Sequence, residues 1–268
     1  MKVNVSLVGL CGLLLVSSLW SCEDHLVAPP ASPRFRLTKI IQTGLRYYQS
    51  HTLSYNTDGN VSQYVARGGT SASSAESYPG VTTFLQYDAQ GRLITSETPI
   101  VPGNTTTAGR TTYDYDTKGN MIAAKKYSAQ QGSDFTINSL IAVEYNSQNL
   151  PAKTVETNFY PIGDAVYTAL YSYNGNYLIK TERSYSTGPI SNPVTTYQYD
   201  NKPNPYYKLG YTLDRIGVSP QLISPNNVIR PDDQLTYDNN GLLIERVDYY
   251  KLDLQQGRTH YTFQYEAY

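Results

Sequence analysis

The sequence predicts an all-β protein, an antiparallel meander of about 15 strands that curls into a barrel or half-barrel. Two observations support this prediction. A tyrosine followed by Asp or Asn and then by turn residues recurs seven times, and an eighth copy, Tyr265-Glu266, has no turn behind it. Successive tyrosines are 26 to 38 residues apart. Apolar and polar residues alternate in front of each copy with the period of two that is typical of strands. No stretch of the chain shows the sustained 3.6-residue period of a helix.

The first element, residues 1–21, is typical of a secretion signal. Lys2 precedes an apolar run of 18 residues that extends from Val3 to Trp20. A membrane-spanning helix needs about 20 apolar residues, so a single-pass anchor is the borderline alternative. We therefore expect residues 1–21 to be a signal peptide.

The second element, residues 22–35, follows the stretch Leu19-Trp20-Ser21-Cys22, which resembles the lipobox of bacterial lipoproteins. The resemblance implies that Cys22 is lipidated, and the two acidic residues behind it resemble the surface-export signal of Bacteroidota lipoproteins. The alternative for Cys22 is an ordinary unmodified thiol. The proline-rich residues that follow predict an extended tether between the lipid and the domain.

The repeated element has the chemistry of a tight hairpin turn. In the copy Tyr115-Asp116-Thr117-Lys118-Gly119, the Asp side chain can bond to the backbone ahead of it and open a type I turn. Gly119 then supplies the positive φ of a bulge. In another copy Asn149 takes the place of the glycine. The eight tyrosines are Tyr55, Tyr87, Tyr115, Tyr145, Tyr173, Tyr199, Tyr237 and Tyr265.

The third element, residues 36–268, is the repeat domain. The residue two before each tyrosine is apolar or aromatic, and the residue between them is polar, which predicts one buried and one solvated face. A sheet this wide with one apolar face should curl with its tyrosines inside, where each hydroxyl needs water or a polar partner. Residues 201–234 interrupt the meander, and we expect them to form a cap over one end of the sheet.

The Tyr-Asp-x-x-Gly-x-Leu units resemble the YD repeats of Rhs and teneurin-type shells. The lipobox, the repeats and the segment Tyr199-Asp200-Asn201-Lys202-Pro203-Asn204-Pro205-Tyr206 together resemble a Bacteroidota lipoprotein family of unknown function with a porin-like β-fold. The resemblance covers roughly residues 37–268. It implies a fold and a location in the cell envelope, and it implies no activity.

Composition excludes several function classes. A net charge of −1 provides no basic surface for nucleic acid, so none is expected as a partner. With two Cys and three His, no metal site and no cofactor are predicted. His51 and His260 could approach each other if the barrel closes, but two histidines without a third ligand are most simply surface or strand residues.

We therefore predict a non-catalytic binding or structural module, anchored in the outer membrane by lipid and facing the periplasm or the cell surface. Its partners would be the membrane, through the anchor, and a glycan or another envelope component. A ligand site is expected at the cap, around Tyr206, Tyr207 and Tyr211, because tyrosines stack on sugars and other flat ligands. Two alternatives are a transmembrane β-barrel of the outer membrane and a glycan hydrolase whose carboxylates meet across the barrel.

Overall fold

The computed structural model describes residues 34–101, 107–186, 193–207, 209, 213–214, 217–252 and 255–268. Phe35–Tyr268 forms one compact unit. In chain order its elements are β1 (Phe35–Gly44), β2 (Tyr47–Tyr55), β3 (Val61–Gly69), α1 (Ala72–Glu76), β4 (Val81–Tyr87), β5 (Leu93–Thr98), β6 (Thr107–Tyr115), β7 (Met121–Gln130), β8 (Thr136–Tyr145), β9 (Pro151–Asn158), β10 (Ala165–Asn174), β11 (Tyr177–Tyr185), β12 (Val194–Thr196), β13 (Gln198–Pro203), β14 (Leu213–Asp214), β15 (Gly217–Val218), α2 (Pro220–Ile223), β16 (Asn226–Ile229), β17 (Gln234–Tyr237), β18 (Leu243–Leu252) and β19 (Gln255–Ala267).

Fifteen of these strands form a single antiparallel sheet, which confirms the predicted meander. The order runs from β12 back to β1 and continues through β19 and β18 to β17. The first and last strands are therefore neighbours, with Ile40 opposite Phe263. The two edges, β12 and β17, come from the middle of the chain and are not paired with each other in the described part of the sheet. Closure into a barrel, the other part of the fold prediction, is therefore not observed.

The sheet is nevertheless strongly curled. Tyr115 on β6 and Tyr265 on β19 line the same cavity. Six strand spacings separate these two strands along the sheet, which would place them about 29 Å apart if the sheet were flat. The face that carries Leu37, Leu53 and Leu93 is buried and is called the inner face below.

The hairpin turns have the predicted geometry. Asp116 Oδ1 accepts hydrogen bonds from the backbone N–H groups of Lys118 (2.9 Å) and Asn120 (2.8 Å), and the Gly119 N–H donates to the Asp116 carbonyl (3.0 Å). Gly119 has a φ of +85°, and Asn149 has a φ of +64° in the equivalent position. The same set of bonds recurs at the turns that begin with Asn56, Asp88, Asn146 and Asp238.

The described parts of the predicted cap, residues 201–234, pack against the inner face of the curled sheet. Leu209 is buried in the largest apolar cluster, and the Tyr206 ring meets Phe263 edge-on at 5.7 Å between centroids. Farther along the segment, Val218 and Ile223 pack into a second cluster beneath β10 and β11. The segment therefore fills the inner face at the end of the sheet where the hairpin turns lie.

The same segment bridges the two sheet edges, because β13 and β16 pair with each other between them. The Tyr199 hydroxyl on β13 donates to the Leu178 carbonyl on β11 (2.6 Å). From the other side, Arg246 on β18 donates to the Val228 carbonyl on β16 (3.2 Å). Side chains thus join the edges where a backbone ladder would be needed to close a barrel. We call this junction the seam.

The predicted signal peptide, Cys22 and the tether up to residue 33 lie outside the described residues. Within the described ranges, no helix has both the length and the apolar character needed to cross a membrane.

Candidate ligand-binding site

Six of the repeat tyrosines donate a hydrogen bond from the side-chain hydroxyl to a backbone carbonyl of a nearby strand. The Tyr115 hydroxyl, for example, donates to the Leu93 carbonyl at the start of the adjacent strand (2.7 Å). The sequence predicted water or polar groups as partners for these hydroxyls, and for six of them the partner is a backbone carbonyl. Six such bonds join Tyr55 to Leu37, Tyr87 to Val61, Tyr115 to Leu93, Tyr145 to Met121, Tyr199 to Leu178 and Tyr265 to Leu243.

These hydroxyls are neutral under physiological conditions. Burial disfavours the phenolate and raises the pKa to about 12 for Tyr55, Tyr87, Tyr115 and Tyr145. Burial also raises the pKa of Tyr173, whose hydroxyl is buried without a hydrogen-bond partner. The tyrosines therefore present uncharged ring faces to the interior.

Four of these rings form the walls of a cavity of about 580 Å³ at the turn end of the sheet. We call this cavity the tyrosine pocket. Its volume lies in the range of small-molecule binding sites. Leu37 and Leu93 line its apolar floor, and Tyr207 lines the side formed by the cap segment. The wall residues are Tyr55, Tyr87, Tyr115 and Tyr265.

One charged side chain lies at the rim of the tyrosine pocket. The Arg36 guanidinium lies 4.4 Å from the centroid of the Tyr55 ring and 5.2 Å from that of Tyr268. Its Nε also donates to Glu266 (2.5 Å). Arg36 is thus held between two rings by cation–π contacts and an ion pair, and it adds a polar group to an otherwise aromatic site.

The three tyrosines predicted as ligand contacts have different positions. Tyr207 lines the tyrosine pocket and is 38% exposed. Tyr206 belongs to the core, through its contact with Phe263. Tyr211 lies outside the described residues. That the wall tyrosines line a cavity was not predicted, because the sequence assigned them to the core, although their common place in the repeat was visible.

No histidine, aspartate or glutamate is among the described residues that line this pocket. His51 lies on the inner face, 6.5 Å from the Tyr64 ring, where burial lowers its pKa. His260 lies on the opposite face, 3.6 Å from Glu245, so the two histidines do not meet. Among the residues that the structure describes, no three His, Cys, Asp or Glu residues are grouped to hold a metal ion.

The comparisons with known proteins give only distant likenesses. No family model and no curated protein matches the chain. The crystal structure of TcdB2-TccC3 is 16% identical at a TM-score of 0.34, with 77% of this chain and 12% of that chain covered. A porin-like protein from Bacteroides uniformis is 14% identical at a TM-score of 0.31, with 86% of this chain and 98% of that chain covered. The pore of the Photorhabdus luminescens Tc holotoxin is 15% identical at a TM-score of 0.27, with 77% and 12% covered.

This chain therefore spans about an eighth of the Tc toxin chains that it matches and nearly the full length of the Bacteroides protein. At these TM-scores none of the likenesses carries a structural or functional argument. The fold described above rests on the pairing of the chain's own strands.

Proposed function

We propose that the protein is a lipid-anchored, non-catalytic binding module of the bacterial cell envelope, with its ligand in the tyrosine pocket. The observation that carries the proposal is the convergence of four repeat tyrosines on one cavity of about 580 Å³. Their hydroxyls are already bonded to backbone carbonyls, so the pocket offers ring faces rather than reactive groups. In this proposal lipidated Cys22 attaches the domain to the outer membrane, on its periplasmic or external side.

The chemistry of the pocket suits a flat ligand with one apolar face. A sugar ring has such a face, and it can stack on tyrosine while its hydroxyl groups remain in water. Arg36 and the exposed Tyr207 at the mouth can add polar contacts at the edge of the ligand. We therefore propose a glycan of the cell envelope as the ligand class.

The outer face favours this proposal over the transmembrane alternative. Directly opposed residues form ion pairs across neighbouring strands, between Glu97 and Arg110 (2.8 Å) and between Glu144 and Lys153 (2.7 Å). These residues alternate with the inner face and so point away from the core. A Lys or Arg facing lipid costs about 2–4 kcal/mol at the middle of a bilayer, whereas in water such pairs cost nothing.

Glycan binding by the chain expressed from Glu23 tests the proposal. We expect Tyr207→Ala to weaken binding of an envelope oligosaccharide at least tenfold, which corresponds to about 1.4 kcal/mol. Tyr78→Ala is the matched control, because Tyr78 is 64% exposed and lies outside the pocket lining. Equal effects of the two substitutions would contradict the proposed site.

Two further outcomes would favour the alternatives. A chain that stays monodisperse only in detergent would support the transmembrane barrel. Turnover of the bound glycan that disappears when a single carboxylate is removed would support the hydrolase.

A further inference from the structure

A second cavity lies at the seam. Strand β11 and the edge strand β12 line it on one side, and β16 and β18 line it on the other. Its volume is about 360 Å³, and it shares no lining residue with the tyrosine pocket. Three guanidinium groups line it, those of Arg183, Arg230 and Arg246. Hydroxyl groups add to the lining, and the described lining residues include no carboxylate.

Two of the three arginines are compensated by nearby acids. Arg246 is 5% exposed and donates to Asp233 (2.8 Å), to Asp248 and to the Val228 carbonyl (3.2 Å). Arg230 is 65% exposed and lies 4.0 Å from Asp248. Neither aspartate is among the residues that line the cavity.

Arg183 lacks such compensation. Its Nε is buried without a hydrogen-bond partner, and Nη1 reaches only Thr195 Oγ1, at 3.5 Å. No ion pair joins Arg183 to an acid in the described part of the chain. A buried N–H donor without a partner is costly, because it loses its hydration without gaining an acceptor.

The neighbouring inner-face residues do not supply the missing acceptor. Glu182 precedes Arg183 but points to the outer face, where it pairs with Lys180. Glu156, two strands away, is held by Lys126 (3.2 Å) and Ser139 (3.1 Å) through its Oε1. Its Oε2 is buried without a partner and makes no hydrogen bond to Arg183. Arg183 lines the seam cavity and has no carboxylate partner among the described residues.

We propose that the seam cavity binds a carboxylate group through Arg183. A guanidinium offers parallel N–H donors that match the two oxygens of a carboxylate, and Arg183 lines the cavity without a carboxylate partner among the described residues. Three guanidiniums against two aspartates leave one positive charge, which balances a monoanion better than a doubly charged phosphate. This site goes beyond the proposed function and stands independently of the tyrosine pocket.

Calorimetric titration of the chain expressed from Glu23 with glucuronate, glucose and inorganic phosphate tests the proposal. Glucose serves as the neutral match of glucuronate. We expect glucuronate to bind saturably at millimolar concentration and more tightly than either of the other probes. Equal binding of glucose would overturn the assignment of a charged ligand, and tighter binding of phosphate would overturn the assignment of a carboxylate.

Arg183→Met should weaken glucuronate binding at least tenfold. The charge-matched control is Arg258→Met, which removes an exposed arginine outside the cavity and should leave binding unchanged. Without ligand, Arg183→Met should melt at the same or a higher temperature than the unmodified chain, because it removes an uncompensated buried charge.

If Arg183→Met does not fold, Arg183→Lys replaces it. The lysine side chain keeps the charge but lacks the two parallel donors, so we expect a smaller but measurable loss of glucuronate affinity. Unchanged glucuronate affinity in Arg183→Met would overturn the proposal. If Arg183→Met does not fold, unchanged affinity in Arg183→Lys would overturn it. Because Tyr207→Ala leaves this cavity intact, loss of glycan binding there and loss of glucuronate binding here are distinguishable results.

Discussion

Replacing Tyr115 by Phe tests whether the tyrosine hydroxyls hold the strands together. The substitution removes the bond from the hydroxyl to the Leu93 carbonyl (2.7 Å) and keeps the ring. The cation–π contact with the Arg92 guanidinium, 4.9 Å from the ring centroid, also remains. Any loss of stability therefore reports on the hydroxyl alone.

The expected magnitude follows from the environment of the bond. A net hydrogen bond contributes about 0.5–1.5 kcal/mol, and a buried carbonyl left without its partner adds a desolvation cost. We expect Tyr115→Phe to lower the free energy of unfolding by about 1–2 kcal/mol. Urea unfolding followed by circular dichroism measures this as a lower midpoint at an unchanged slope.

Tyr173→Phe is the matched control. Tyr173 occupies the same place in its repeat, but its buried hydroxyl has no partner. Removing that hydroxyl loses no bond and relieves a buried polar group, so stability should stay constant or rise by up to about 1 kcal/mol. Equal destabilisation by the two substitutions would refute the idea that these bonds stabilise the sheet, since a hydroxyl without a partner would then contribute as much as a bonded one.

Three further outcomes are expected. Gly119→Ala should cost about 1 kcal/mol in urea unfolding because φ is +85°, whereas Gly109→Ala, with open space and no positive φ, should be neutral. The free energy of unfolding should fall between pH 10 and about 12, because tyrosines in the unfolded chain ionise near pH 10. In the folded protein, burial keeps the pKa of Tyr55, Tyr87, Tyr115 and Tyr145 at about 12. Phenolate absorbance and circular dichroism measure this loss. Backbone hydrogen bonds lower the pKa of the turn carboxylates of Asp88, Asp116 and Asp238 below 3.8. Their contribution to the stability of the fold should therefore be present above that pH and disappear as acid protonates them. Melting curves should show that replacing these three residues by Asn flattens the dependence of the melting temperature on pH.

The hairpins could be predicted from sequence because their determinants are local. The bonds of Asp116 reach only two and four residues ahead, and the positive φ of Gly119 depends on its own lack of a side chain. The alternation before each tyrosine assigned the inner face correctly for the same reason. Neither signal contains information about distant partners, so the junction of β1 with β19 could not be predicted with its register.

The path of the segment 201–234 could not be predicted because the contacts that hold it against the sheet are distant in sequence. Leu209 lies in one buried cluster with Leu37 and Leu243, and Val218 donates its backbone N–H to the Tyr171 hydroxyl (2.7 Å). Its apolar residues indicated burial, but they could not distinguish a lid from a filling of the interior. The tyrosine pocket depends on this choice, because the segment supplies one of its sides.

The inner face changes character along each strand, and this change explains where cavities form. On β8, Ile141 and Val143 lie toward the turn and are apolar, whereas Ser139 on the same face is polar. On β11 the inner face likewise changes from the apolar Leu178 next to the turn to the charged Arg183 farther from it. The repeat specifies only the residues next to each turn, so the other half of the face can carry groups that the core would exclude. Arg183 is an example, because its Nε is buried without a partner and its side chain lines the seam cavity.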